Sequence, residues 1–178
     1  PQSQIDALAQ AAHERGLSVH LDGARLFNAH IHTGLSPKEL TKNCDSVSIC
    51  LSKGLGAPVG TLLVSSHEII AKAKRIRKIL GGSMRQVGVI AACGMYALKN
   101  NIVRLQEDHN NAKLLAQGLS EISELEVDYG ENQTNMLFVN CPEQHRAPLE
   151  QYLFDNHIRI SSLDRGRLVC HLGITEKD

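Results

Sequence analysis

The sequence has no excess of charge of either sign: 19 Lys and Arg balance 19 Asp and Glu, the formal net charge is zero, and the pI is about 7.5. That balance excludes a broad electrostatic grip on nucleic acid or anionic lipid. No apolar run approaches the ~18 residues of a membrane span, and no signal peptide opens the chain. Five cysteines, Cys44, Cys50, Cys93, Cys141 and Cys170, are scattered and odd in number, with no C-x-x-C pair. Neither a zinc knuckle nor a disulfide framework is signalled. Three of the cysteines sit in apolar runs, where a buried free thiol is expected, and a reducing compartment, cytoplasmic or organellar, follows. The nine histidines are also dispersed. His30 and His32 stand two apart, a spacing that does not share a helix face, so no metal site is read there. Phosphate-binding Gly-x-x-x-x-Gly-Lys loops, nucleophile elbows, internal repeats and low-complexity segments are absent.

What is present is the composition of an ordinary soluble globular protein, with 42% hydrophobic and 21% charged residues in 178. This length suits one large or two small domains and buries roughly 70% of the unfolded surface. The first residue is Pro1, and the first segment already reads as the inside of a helix, so a piece of a longer chain is expected. Helical spacing covers residues 5–15 and ends at Gly16. Residues 17–21, 45–51 and 59–64 read as strands, with a helix at 26–29 and a helix start at Ser36-Pro37. A helical crossover of about two dozen residues makes strands one and two parallel, whereas only about six residues make two and three an antiparallel hairpin. After a basic stretch at 72–78 and Gly81-Gly82-Ser83, helical pattern runs through Leu98, and residues 100–119 continue as helix. Beyond it, short strands at 125–129, 135–139, 159–160 and 167–171 surround a helix at 148–156. The expected division is therefore a large domain at 1–105 and a small α+β domain at 106–178.

Two residues carry chemistry in this pattern. Asp22 closes the first strand and Lys53 follows the second, so a carboxylate and an amine are expected at the carboxyl edge of one parallel pair. Alone, Asp-Gly at a strand end is a turn, and Lys beside Gly is a solvated loop residue. Together they suit pyridoxal phosphate: the amine forms an imine with the cofactor aldehyde, and the carboxylate pairs with the pyridine nitrogen. Gly54 and Gly56 allow the backbone to turn tightly behind the ring.

The stretches HLDGARLFNA (20–29), SVSICLSKGLGAPVG (46–60), RKILGGSMRQ (77–86), RLQEDH (104–109), TNMLFV (134–139) and RLVCHL (167–172) occur in that order and span nearly the whole chain. In them the sequence closely resembles the low-specificity L-threonine aldolases. The resemblance implies an α/β fold. It would comprise part of the aspartate-aminotransferase-like (fold type I) pyridoxal-phosphate large domain and a small α+β C-terminal domain. It implies cleavage of L-threonine and L-allo-threonine to glycine and acetaldehyde by a homodimer or homotetramer, with a small amino acid as substrate. By motif, Lys53 resembles the Schiff-base lysine and Asp22 the partner of the pyridine nitrogen. Arg25 resembles a residue that binds the substrate carboxylate and closes over the ring, and Arg167 the second carboxylate arginine. Arg165 competes with Arg167, but register favours Arg167. Arg85 resembles a residue near the cofactor phosphate, often in the neighbouring subunit's site.

Departures are small: Cys170 stands where the family usually has Thr, and Gly173 where Asp is common. The family's amino-terminal half, with its glycine-rich phosphate cradle, ring-stacking histidine and carboxylate-binding serine, has no counterpart in these residues. The chain by itself is therefore expected to be inactive, able at most to self-associate. A β-eliminating lyase of the same fold is the alternative enzyme reading.

Overall fold

The structure, a computed structural model, describes residues 1–178. The chain divides into two units, Pro1–Leu105 and Gln106–Asp178. In the first unit, helix α1 (Gln2–His13) leads to strand β1 (His20–Asp22). Helices α2 (Leu26–Thr33) and α3 (Pro37–Leu40) cross to β2 (Ser46–Cys50), which is followed by β3 (Thr61–Ser65), α4 (His67–Ile79) and α5 (Gly88–Asn100). The sheet order is β1-β2-β3, with β1 parallel and β3 antiparallel to β2. This is the arrangement expected from connection lengths, since a parallel pair needs a crossover and an antiparallel pair does not.

Local chemistry explains the boundaries. Ser36 and Glu39 form a reciprocal capping box, the Ser36 hydroxyl accepting from the Glu39 N–H at 3.2 Å and the Glu39 carboxylate from the Ser36 N–H at 2.8 Å. Ser66 caps α4, and Arg77 and Lys78 fall in its last turn, where the helix dipole favours cations. The expected basic stretch at 72–78 is thus the second half of a helix. The first strand begins later than the apolar run at 17–21 suggests. The Leu17 N–H donates to the Ala12 carbonyl and finishes the exit from α1, and strand contact starts where the Val19 carbonyl accepts from Asp45 and Ser46. The β2–β3 connection is also longer than expected, occupying residues 51–60. It folds back on itself, with the Leu51 N–H donating to Gly60 and the Leu51 carbonyl accepting from Ala57.

Two buried clusters organise this unit. Leu26, Leu40 and Val47 pack α2 and α3 on β2, and Leu51, Leu55, Ala57, Ala97 and Leu105 pack the loop after β2 against α5. The continuous helix expected over 100–119 is broken. α5 stops at Asn100 and α6 (Leu105–Ser120) starts five residues on, because the Asn101 side chain turns back to the loop after β2.

The second unit takes most of α6 and the sheet β4 (Glu126–Asp128), β5 (Met136–Asn140) and β6 (Gly166–Val169), all antiparallel in the order β4-β5-β6. Ala112 and Ala116 of α6 pack on Leu137, Val139 and Cys170. Helix α7 (Glu143–Asp155) begins before Pro148 rather than at it, with Pro148 inside the helix. Arg146 ties its first turn to the Cys141 carbonyl at 2.7 Å and to Asp164 at 3.0 Å. Residues 159–160 form no strand. His157 leaves α7 with a left-handed φ of 62°, the Ile158 N–H returns to Leu153, and Arg159 stacks on the Phe154 ring at 3.7 Å.

Candidate active site

β1 and β2 run parallel with Asp22 beside Ser48, so their carboxyl ends share one edge. Asp22 is the last residue of β1 and is exposed. Three residues beyond β2, Lys53 is exposed at the start of a turn whose Gly56 N–H donates to the Lys53 carbonyl at 2.8 Å. A carboxylate and a primary amine therefore reach the same edge, the place where such sheets bind ligands.

The chain turns abruptly after Asp22. The Ala24 N–H donates to Asp22 Oδ1 at 3.1 Å, and the Leu26 N–H to the Gly23 carbonyl at 2.9 Å. Gly23 is pressed against β2: a Cβ there would stand 2.8 Å from the Ser48 carbonyl oxygen and 2.9 Å from Val47 Cγ1. Any side chain would force the two strands apart at the point where Asp22 is presented. The same turn delivers Arg25, half-buried, to the residue before α2.

Cys50 ends β2 with its Sγ 3.3 Å from Ser52 Oγ. Burial pushes its thiol up, but the Ser52 hydrogen bonds, the Lys53 charge and Thr61 outweigh it, leaving the group more acidic than an ordinary thiol. In the second unit burial dominates, and with the nearby Asp108 it raises the Cys170 thiol.

Arg85 is exposed in the turn before α5, next to Gln86 with φ 51°. Arg167 is exposed on β6, opposite Phe138. Its competitor Arg165 has a left-handed φ of 47°, and its N–H reaches Asn140 Oδ1 at 3.4 Å. Asp22, Lys53 and Arg25 thus belong to one edge of the first sheet, Arg85 to another part of that unit, and Arg167 to the second unit. A shallow groove of about 360 Å³ in the second unit, lined by Glu126, Asp128, Phe138, Asn140 and Arg165 among others, contains none of them. No group of three or more His, Cys, Asp or Glu is placed to hold a metal ion, and no helix is long and apolar enough to cross a membrane.

Four polar residues are buried, Asn28, Asp108, His109 and Asn135, and none of them stands out as a site residue in the sequence. Asn28 on α2 is 3% exposed, Asp108 on α6 is completely buried, and His109 follows it. For Asp108 a signal existed: it lies three residues after Leu105 and four before Ala112, on the same apolar stripe of the helix.

A model of the beta-eliminating lyase family matches residues 1–142. The chain belongs to that family. Its enzymes are pyridoxal-phosphate enzymes. Among curated relatives, the low-specificity L-threonine aldolase of Escherichia coli O157:H7 is 47% identical over 177 residues, covering 99% of this chain and 52% of that protein. Low-specificity L-threonine aldolase 1 of Arabidopsis thaliana is 43% identical over 178 residues, covering 97% and 50%. The chain spans about half the length of the curated relatives it matches. The fold is shared with a Listeria monocytogenes EGD-E protein assigned as an L-allo-threonine aldolase, at a TM-score of 0.81 and 22% identity over 96% of this chain and 51% of that one. This is the type I fold of pyridoxal-phosphate enzymes.

The residues at the sheet edge fit that cofactor. Lys53 offers an exposed amine for an aldehyde and Asp22 an exposed carboxylate for a pyridinium nitrogen, the one in the turn after β2 and the other at the end of β1.

Proposed function

We propose that the protein carrying these residues is a pyridoxal-phosphate-dependent aldolase that cleaves L-threonine and L-allo-threonine to glycine and acetaldehyde. The observation that carries this reading is the placement of Asp22 and Lys53 at the carboxyl edge of β1 and β2. Lys53 would hold the cofactor by its amine, and Asp22 would pair with the pyridine nitrogen and favour its protonated form. When bound, the cofactor supplies an electron sink for the pair released as the Cα–Cβ bond breaks. Arg25 and Arg167 are each candidates for the substrate α-carboxylate, since a planar guanidinium fork matches a carboxylate in two parallel hydrogen bonds. Arg85 would supply a cation to the cofactor phosphate, in the neighbouring subunit's site of a homodimer or homotetramer. The β-hydroxyl gives up one proton and Cα takes one, so the two products account for every atom. Five free cysteines support a reducing, cytoplasmic setting.

A second reading keeps the cofactor and breaks a bond from Cβ to a leaving group, yielding a keto acid and ammonia. The family description favours it. One assay separates the two: full-length protein is given L-threonine, and acetaldehyde and ammonia are both measured. Acetaldehyde with glycine is expected, and ammonia alone would establish the lyase. Lys53→Ala should cost at least about a thousandfold in rate, the scale for loss of a covalent or acid–base group. Full activity in that variant would sink the assignment of Lys53.

A further inference from the structure

The turn that presents Lys53 is tied by Asn101 and seated over the buried Asn28. Lys53, Gly54, Leu55 and Gly56 close through the Gly56 N–H to Lys53 carbonyl bond of 2.8 Å, with Gly56 at φ 73°. Gly54 is seated against the interior: a Cβ there would stand 2.8 Å from Leu105 Cδ2 and 3.5 Å from the buried Asn28 Oδ1. Leu55 is buried beside Ala97 and Leu105, and its carbonyl accepts from Asn101 Nδ2 at 2.7 Å. Asn101 ends α5, and its own N–H donates to Ala97 at 2.9 Å, so the amide projects from a fixed helix end. Asn28 belongs to α2, the helix that follows Asp22 and Arg25. One element therefore carries the Asp22 side of the site and supports the Lys53 turn.

A flexible lysine on an untethered loop samples many directions, and a chemical step needs few of them. A part-buried bond from Asn101 to the Leu55 carbonyl, with Asn28 and Leu105 filling the space under Gly54, removes that freedom within two residues of Lys53. We infer that Asn101, assisted by Asn28, is a positioning residue for Lys53, and sets the direction and surroundings of its amine without touching substrate or cofactor. This rests on the reading of Lys53 as the cofactor-bearing amine.

The test uses the full-length protein with Asn101→Ala and Asn101→Asp; the second keeps the side-chain shape and loses the N–H donor. Without cofactor, amide hydrogen exchange over residues 51–60 should accelerate about tenfold in both, the scale of one net hydrogen bond. With pyridoxal phosphate loaded, the pH midpoint of its visible absorption should move by at least about half a unit, because the amine's surroundings change. Turnover should drop about tenfold or more in kcat, with KM within about twofold, as for a group that acts on the chemical step alone. Should Asn101→Ala fail to fold, Asn101→Asp carries the same readouts. Unchanged exchange overturns the inference whatever the cofactor chemistry. Faster exchange with an unmoved pH midpoint and kcat shows a turn that only stabilises the fold, and overturns it too. Unsubstituted protein that takes up no pyridoxal phosphate overturns the reading of Lys53 itself, a failure visible before any variant is made.

Discussion

β5 of the second unit alternates burial along its length, with Leu137 at 0% and Val139 at 4% exposed, whereas β3 of the first unit leaves Leu62, Leu63 and Val64 at 40, 42 and 52%. Both strands are five residues long with an apolar run inside them, Leu62 to Val64 in β3 and Met136 to Val139 in β5. The difference lies in what covers them. β5 is central, paired on both sides, and has Ala112 and Ala116 of α6 against one face. β3 is an edge strand, and α4 beside it in sequence buries no residue. An apolar strand thus announces that it must be covered, but not by which element. The candidate site lies in the unit with the open sheet, at the carboxyl ends of β1 and of β2, the strand that pairs with β3.

The sharpest way to break this contrast is to alter the site and the closed core in turn. Asp22→Ala in the full-length protein should lower kcat by about 10²–10³, far more than it weakens cofactor binding, because an unprotonated ring is a poor electron sink. Steady-state rates beside a cofactor titration check this; weakened binding with unchanged kcat would make Asp22 a mere anchor. Leu137→Ala should destabilise the second unit by about 2–5 kcal/mol, the usual cost of a cavity in a closed core. Denaturant unfolding measures it. Arg167→Lys replaces a fork by a point charge, and KM for threonine should rise about tenfold with kcat nearly unchanged. An unaltered KM would point to Arg165 or to neither.

On the open sheet the effects should be small. Leu63→Ser in the 178-residue chain should change stability by no more than about 0.5 kcal/mol, as at other exposed positions. A larger loss would mean that β3 is covered in solution, and comparing the denaturation midpoints of variant and parent decides it. The smallest effect is one of pH. The Val19 N–H and then His13 lower the Asp45 carboxyl, Gln2 and then Lys42 lower Asp6, and Ser36 lowers Glu39, all in the first unit. Folding depresses each pKa, so the folded state binds fewer protons. Their stabilisation is complete above about pH 4–5 and is lost as pH falls through the folded values. Hydrogen exchange should therefore show α1 loosening, since His13 and Asp6 lie on it, as pH drops from about 5 to 3.

Much of this protein was legible in local pattern. Connection lengths between apolar runs separated the parallel from the antiparallel pair, and the Ser36-Pro37 pair marked a helix start. Asp22-Gly23 and Lys53-Gly54 at strand ends singled out the edge of interest, because turn chemistry and strand period are properties of neighbouring residues. Other features needed contacts between residues distant in sequence. The helix break at Asn101 exists because its amide pairs with Leu55, 46 residues away. Asn28 is buried because the Lys53 turn packs on α2. Residues 159–160 form no strand: the chain leaves α7 through the left-handed His157, and Arg159 stacks on the ring of Phe154. Periodicity is written in the order of residues, whereas the partner of a buried amide or an edge strand is set only when remote segments compete for the same space and hydrogen bonds.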